Sequence, residues 1–296
     1  MHRMLHPLRT TIVALLLTAS ALALTPVDDA HQQSRLIRLS NGLTLNYLVQ
    51  GSPQGQPIVL LHGAGDSWHS WDQVLSLIPS SYRVYAITLR GHGWSDHPQT
   101  GFERADFAND IALFLKALDL HQVTLAGHSL GSLVAQKVAA DDDGRIARVI
   151  LIGSGPGIRD PQARKELAES FGALRDPIDF TFARDFQAST IYAPVPPQFF
   201  ETLVAEALKA PAATWHGLAT QFQHDEEPQL LEHIRVPVLL LWGDHDGIFT
   251  RADQQQLLQR IPHAELKVYA ETGHALHWER PTDFAADLLH FIASSK

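Results

Sequence analysis

The stretch Val123-Thr-Leu-Ala-Gly127-His128-Ser129-Leu130-Gly131 runs from a strand-like apolar segment through Gly-x-Ser-x-Gly into a helical pattern. A serine hydroxyl is a poor nucleophile unless it is exposed, aligned and close to a base. A sharp strand-to-helix turn exposes it. The turn needs small residues on both sides so that the two backbones can approach, and Gly127 and Gly131 meet that need. The same turn puts the Leu130 N–H at a helix N-terminus, where developing negative charge is stabilised. Such a serine also needs a base and a group to orient the base. An acid follows one later apolar run, in Gly243-Asp244-His245-Asp246-Gly247, and a histidine follows the next, in Glu271-Thr272-Gly273-His274. The order serine, acid, histidine is the one expected of a nucleophile on this kind of turn. By position Asp246 is preferred to Asp244, and His274 to His277, which falls one turn further on in a helix. Alone, Asp246 would read as a turn or capping aspartate, and any one of the 17 histidines as a surface or core residue. Their order gives them chemical meaning. An earlier apolar run leads into His62-Gly63-Ala64-Gly65-Asp66. There the backbone N–H of Ala64, or of Gly65, is the expected second donor of an oxyanion site. His62 itself reads as a histidine that orders the loop.

These residues have to be held at the ends of strands. Buried-type apolar runs occur at 58–61, 84–88, 123–126, 149–152, 238–242 and 266–269, after a leading hairpin at 35–39 and 43–49 that turns on Asn41-Gly42. Helical spacing fills most of the gaps, at 105–118, 130–140, 251–260 and 283–293. Alternating strands and helices predict an α/β fold, a mostly parallel sheet with helices on both faces. Such sheets bind ligands outside the carboxyl ends of their strands, which is where the candidate residues fall. The alternation breaks at 158–230, where only helical patterns and proline-broken connections appear, Pro194-Val195-Pro196-Pro197 among them. That is too long for a loop and predicts a helical cap insertion between core segments 34–157 and 231–296. Its aromatic residues, including Phe171, Phe180, Phe199, Phe200 and Trp215, suit either an apolar pocket or the cap's own core.

Composition narrows the partners. The chain has 296 residues, 45% of them hydrophobic, and a formal net charge of −9 with no Lys/Arg run. Nucleic-acid binding draws on clustered positive charge, so the expected partner is a small-molecule substrate and not a nucleic acid. The absence of cysteine excludes disulfides, cysteine nucleophiles and zinc–thiolate or iron–sulfur sites. The first ten residues carry Arg3 and Arg9 and no acid, residues 12–24 are mostly apolar, and Ala-x-Ala spacing occurs at 19–21 and 21–23. This predicts a signal peptide over 1–23 and an exported mature protein with no stable membrane insertion; an uncleaved anchor is the alternative. An intact Met1 on exported protein would contradict cleavage. Gly153-Ser-Gly155-Pro-Gly157 resembles a dinucleotide fingerprint, but Gly-x-Gly-x-x-Gly would need glycine where Ile158 stands. It reads as a strand exit. No Gly-Lys-Ser/Thr or His-Glu-x-x-His motif occurs, and no metal or other cofactor is expected.

Together the motifs His62-Gly63, Arg90-Gly91-His92-Gly93-Trp94-Ser95-Asp96, Gly127-His128-Ser129-Leu130-Gly131, Gly243-Asp244-His245-Asp246 and Gly273-His274 with Glu279-Arg280-Pro281 resemble the α/β-hydrolase superfamily. The likeness covers about residues 34–296 and is to its serine hydrolases with a helical cap. It implies Ser129 as nucleophile, His274 as base, Asp246 as orienting acid, and the Ala64 and Leu130 N–H groups as the oxyanion hole. It implies a mainly structural role for 90–96. A serine at 129 separates the chain from relatives with a nucleophilic aspartate. The implied activity is hydrolysis of a small carboxylic ester or lactone. The alternatives are carbon–carbon bond hydrolysis of a diketone-type substrate, or a hydrolase fold used only to bind a ligand.

Overall fold

The computed structural model describes residues 32–158, 160–224 and 228–294. The segment read as a signal peptide lies outside the described residues. Strands β1 (Gln32–Arg38) and β2 (Thr44–Gly51) pair antiparallel. Gly42 sits at φ 89° in the reversal between them, and the Asn41 side chain accepts the Leu43 N–H at 3.1 Å. After β3 (Pro57–Leu61), a 3-10 turn at Trp68–Trp71 and the short α1 (Asp72–Leu75) lead to β4 (Arg83–Ile87). Then come α2 (Arg104–Ala117), β5 (Val123–His128), α3 (Leu130–Ala140) and β6 (Ile146–Ile152). Four cap helices follow: α4 (Pro161–Gly172), α5 (Phe180–Ser189), α6 (Pro197–Ala207) and α7 (Ala212–His224). The chain returns through β7 (Val238–Gly243), α8 (Arg251–Arg260), β8 (Ala264–Tyr269), α9 (Leu276–Glu279) and α10 (Pro281–Ser294). The sheet order is β1-β2-β4-β3-β5-β6-β7-β8. β2 and β4 are antiparallel, and every pair from β4 to β8 is parallel.

The continuous apolar runs follow from burial on both faces. Side chains alternate across a strand. In β3, Ile58 and Leu60 join Trp71, Phe284 and Leu288 in one core, while Val59 and Leu61 join Phe107 and Leu133 in the other. β6 and β7 divide the same way, with Ile150 and Leu239 on the first side and Val149 and Leu240 on the second. Helices α1 and α10 cover one face; α2, α3 and α8 cover the other.

The last strand departs from expectation. β8 is not a buried strand but the sheet's edge, with Glu265 and Lys267 exposed and only Tyr269 fully buried. Charges on an edge hinder pairing with another chain, and their alternation with apolar residues marks one solvated face.

The Arg90–Asp96 stretch is structural, as its motif implied. Arg90 makes a buried two-pronged ion pair with Asp110, both bonds 2.6 Å, and also donates to the Gly101 carbonyl. Asp96 accepts the Thr44 N–H at 2.7 Å. This pins the loop after β4 to α2 and to the hairpin.

Candidate active site

Ser129 sits between β5 and α3 with φ 51° and ψ −118°. For a residue with a side chain that conformation costs roughly 1–3 kcal/mol and is held by its surroundings. The Ser129 N–H donates to the Ile152 carbonyl, and the Ser129 carbonyl accepts from Ser132 and Leu133. Its hydroxyl makes no capping bond to the helix. A Cβ on Gly127 would lie 2.2 Å from the Gly131 oxygen, and one on Gly131 would lie 2.5 Å from the Leu61 oxygen. Both glycines are therefore required by contact, β5 against α3 and α3 against the end of β3. This turn is a nucleophile elbow.

His274 lies on the loop after β8 and Asp246 on the loop after β7. His274 Nδ1–H donates to Asp246 Oδ2 at 2.9 Å, and both side chains are buried. Asp246 Oδ1 accepts the Ile248 and Phe249 N–H groups at 2.8 and 3.0 Å. Those bonds fix the carboxylate, and α8 begins just beyond them on a Thr250–Asp253 capping box. With its proton on Nδ1, the neutral ring keeps its lone pair on Nε2. That atom is buried and has no partner among the described residues. A Cβ on Gly153 would meet His274 Nδ1 at 2.8 Å, so the strand exit that mimics a dinucleotide loop is the space His274 occupies.

Asp244 and His277 go elsewhere. Asp244 is partly exposed and accepts from His245 Nδ1 at 2.7 Å, a bond that lowers its pKa. His277 lies in α9, buried against Trp71, and its Nε2 is 3.2 Å from Ser70 Oγ. Among the described residues this serine–histidine pair is hydrogen-bonded, whereas Ser129 and His274 are not. Ser70 Oγ also takes the Trp278 indole N–H at 2.9 Å, and His277 Nδ1 has no partner. Burial, then the neighbouring His274, hold the His277 pKa well below the usual histidine range.

A narrow cleft lies over Ser129 and His274. Its rim includes Gly63 and Ala64, its apolar walls are Phe186, Ile248 and Trp278, and its polar wall is Asp66, Gln187 and Thr190. The Ala64 and Leu130 N–H groups have no hydrogen-bond acceptor among the described residues. His62 Nδ1–H donates to the Gly63 carbonyl at 2.7 Å and Nε2 accepts the Leu89 N–H at 2.9 Å, which orders the loop.

The cap aromatics divide. Phe171 and Trp215 stack edge-on at 4.9 Å inside the cap core, Phe180 is exposed, and Phe199 packs on Trp278. Among the described residues, Phe186 is the cap aromatic that lines the cleft. Sequence reading singled out neither Asp66 nor Gln187 for the site. Asp66 stood inside a quoted motif, and Gln187 belongs to a cap helix with no motif.

Glu279 joins the cap to this site. Its carboxylate accepts the N–H groups of Tyr192, Ala193 and Gly273 at 3.2, 2.7 and 2.9 Å. No helix among the described residues is long and apolar enough to cross a membrane.

Known proteins share this arrangement. The profile of the alpha/beta hydrolase fold family matches residues 56–281. A non-heme chloroperoxidase of Streptomyces lividans is 29% identical over 273 residues, covering 87% of this chain and 99% of that protein. The solved structure of an esterase from Rhodococcus sp. ECU1013 superposes with a TM-score of 0.78 at 27% identity, covering 89% of this chain and 99% of its own. An esterase from Exiguobacterium antarcticum gives a TM-score of 0.80 at 23% identity, over 88% of this chain and all of its own, a likeness of fold. With its elbow, its parallel sheet and its cap, the chain belongs to the α/β-hydrolase fold family.

Proposed function

We propose that the protein hydrolyses small carboxylic esters, lactones included, through an acyl-enzyme on Ser129. One observation carries the reading: a strained, uncapped Ser129 shares a cleft with a histidine whose Nδ1 is locked on Asp246 and whose Nε2 is unpartnered. Ser129 Oγ attacks the ester carbon while its proton passes to His274 Nε2. Asp246 keeps the ring aligned and stabilises the imidazolium. The Leu130 and Ala64 N–H groups receive the oxyanion. Collapse releases the alcohol with the proton from His274 and leaves the acyl group on Ser129. Water then attacks, giving its proton to His274, and a second collapse breaks the acyl–Oγ bond, returns that proton to Ser129 and frees the acid.

The Ser70–His277 contact offers a second reading, a buried dyad. Against it, Ser70 is 1% and His277 0% exposed, neither lines the cleft, and no acid orients His277. Two substitutions separate the readings on a phenyl ester. Ser129→Ala should lower turnover on the order of 10⁴-fold or more, and Ser70→Ala at most about tenfold, through lost packing. Retention of more than a tenth of wild-type turnover by Ser129→Ala would remove this assignment. An organophosphonate should label Ser129 stoichiometrically; binding without labelling would indicate a ligand-binding protein instead.

A further inference from the structure

Besides His128, the cleft has a polar wall of Asp66, Gln187 and Thr190 that the hydrolytic steps do not use. Asp66 is 1% and Gln187 0% exposed, and both line the cleft. Gln187 Nε2 donates to Asp66 Oδ1 at 2.9 Å. That bond uses one of the amide's two N–H donors, and Oε1 is buried and without a partner. A buried acceptor left unpaired costs about 1–3 kcal/mol. A ligand that supplies an N–H or O–H to it recovers that cost.

The wall is fixed in place. The Thr190 hydroxyl donates to the Gln187 carbonyl at 2.8 Å, and the Thr190 carbonyl accepts the Ala275 N–H at 2.9 Å, one residue beyond His274. The amide therefore stands in a set relation to the proton acceptor. Burial pushes the Asp66 pKa up to about 8 against the opposing pull of its hydrogen bond to Gln187. A neutral carboxyl two residues from Ala64 does not oppose charge developing at the oxyanion donors. The wall is thus polar but uncharged, which fits a hydroxyl better than an ammonium or a carboxylate.

The acyl part is what stays on Ser129 after the alcohol leaves, so it is the part this enclosed cleft must hold. We propose that the preferred substrates are esters of hydroxy acids, whose acyl hydroxyl donates to Gln187 Oε1 on the Asp66–Gln187 wall. The proposal rests on the ester-hydrolase reading above and narrows its substrate class.

The test uses the full-length protein and phenyl esters of butanoic, 2-hydroxybutanoic and 3-hydroxybutanoic acid, with rates corrected for their intrinsic reactivity toward hydroxide. The better hydroxy ester should show at least a fivefold higher kcat/KM than the butanoate, chiefly through KM. A smaller ratio overturns the proposal. In Gln187→Leu the ratio should drop below twofold. It is read within the variant, so a general loss of activity cancels. Persistence of the preference in that variant overturns the assignment to Gln187. A preference for the 2-aminobutanoate ester over both hydroxy esters would show a charged wall and also overturn it. If no ester is turned over, the hydrolase reading fails. The wall is then tested by calorimetry alone. There 3-hydroxybutanamide should bind the wild-type protein at least fivefold more tightly than butanamide, and equal affinities overturn the proposal.

Discussion

Replacing Asp66 by asparagine should stabilise the protein progressively more as pH rises from 5 to 8. The folded carboxyl is 1% exposed and keeps its proton to about pH 8, because burial penalises the charged form. The unfolded carboxyl loses its proton near the ordinary aspartate value of about 4. Between those values the unfolded state binds fewer protons than the folded state, so the stability contributed by Asp66 falls as pH rises. At about 1.36 kcal/mol per pH unit, the window from pH 5 to pH 8 carries about 4 kcal/mol. Asparagine has the same shape, still accepts from Gln187 and does not titrate. Its stability relative to wild type should therefore climb by about that amount over the window and level off above pH 8. Chemical unfolding of both proteins at half-unit pH steps measures this. The difference between the curves removes every other titration, and any constant offset from altered packing drops out of the slope. A difference that stays flat to within about 1 kcal/mol would show that Asp66 is already ionised at neutral pH, and the uncharged cleft wall would go with it.

Two further outcomes follow from buried groups outside the cleft lining. His92 is fully buried, and burial lowers its pKa to about 4. The unfolded ring takes up a proton near 6.5, so stability is lost as pH falls below that value. His92→Gln should remove about 3 kcal/mol of the loss between pH 6.5 and 4; unfolding curves with the same pH slope as wild type would refute this. Asp110→Ala strands the Arg90 guanidinium in the buried pair and should cost about 3–5 kcal/mol of unfolding free energy, read in a denaturant titration. A loss under 1 kcal/mol would mean that water reaches Arg90.

Much of the fold was legible because its strands are buried on both sides. Runs such as Ile58–Leu61 have no polar face to confuse with a helix, and α3 and α8 fall where their spacing predicts. β8 was misread for the converse reason. Leu266, Val268 and Tyr269 suggest a buried run, yet Glu265 and Lys267 between Ala264 and Val268 mark an edge. The 3-10 turn and α1 at 68–75 are too short to show a period. Asp246 and His274 were legible as candidates because each follows a strand end, and the structure hydrogen-bonds these two to each other. Gln187 had no such marker. Nothing in Arg184-Asp-Phe-Gln-Ala distinguishes a cleft-facing amide from a surface one, because a helix in the cap is placed by packing and not by the sheet. Asp66 stood in a quoted motif without a role of its own, and its bond to that amide is visible only in the structure.

The Glu279 carboxylate has a mechanical consequence. It grips two amides of the cap segment after α5 and one amide beside His274. Partial burial raises its pKa even though all three bonds favour the charged form, and the bond to Tyr192 lies at the surface. A cap that swung open at this corner would drag the histidine's neighbour with it. Displacing the cap segment from this corner therefore means breaking the Tyr192 and Ala193 bonds or shifting the Gly273 amide beside His274.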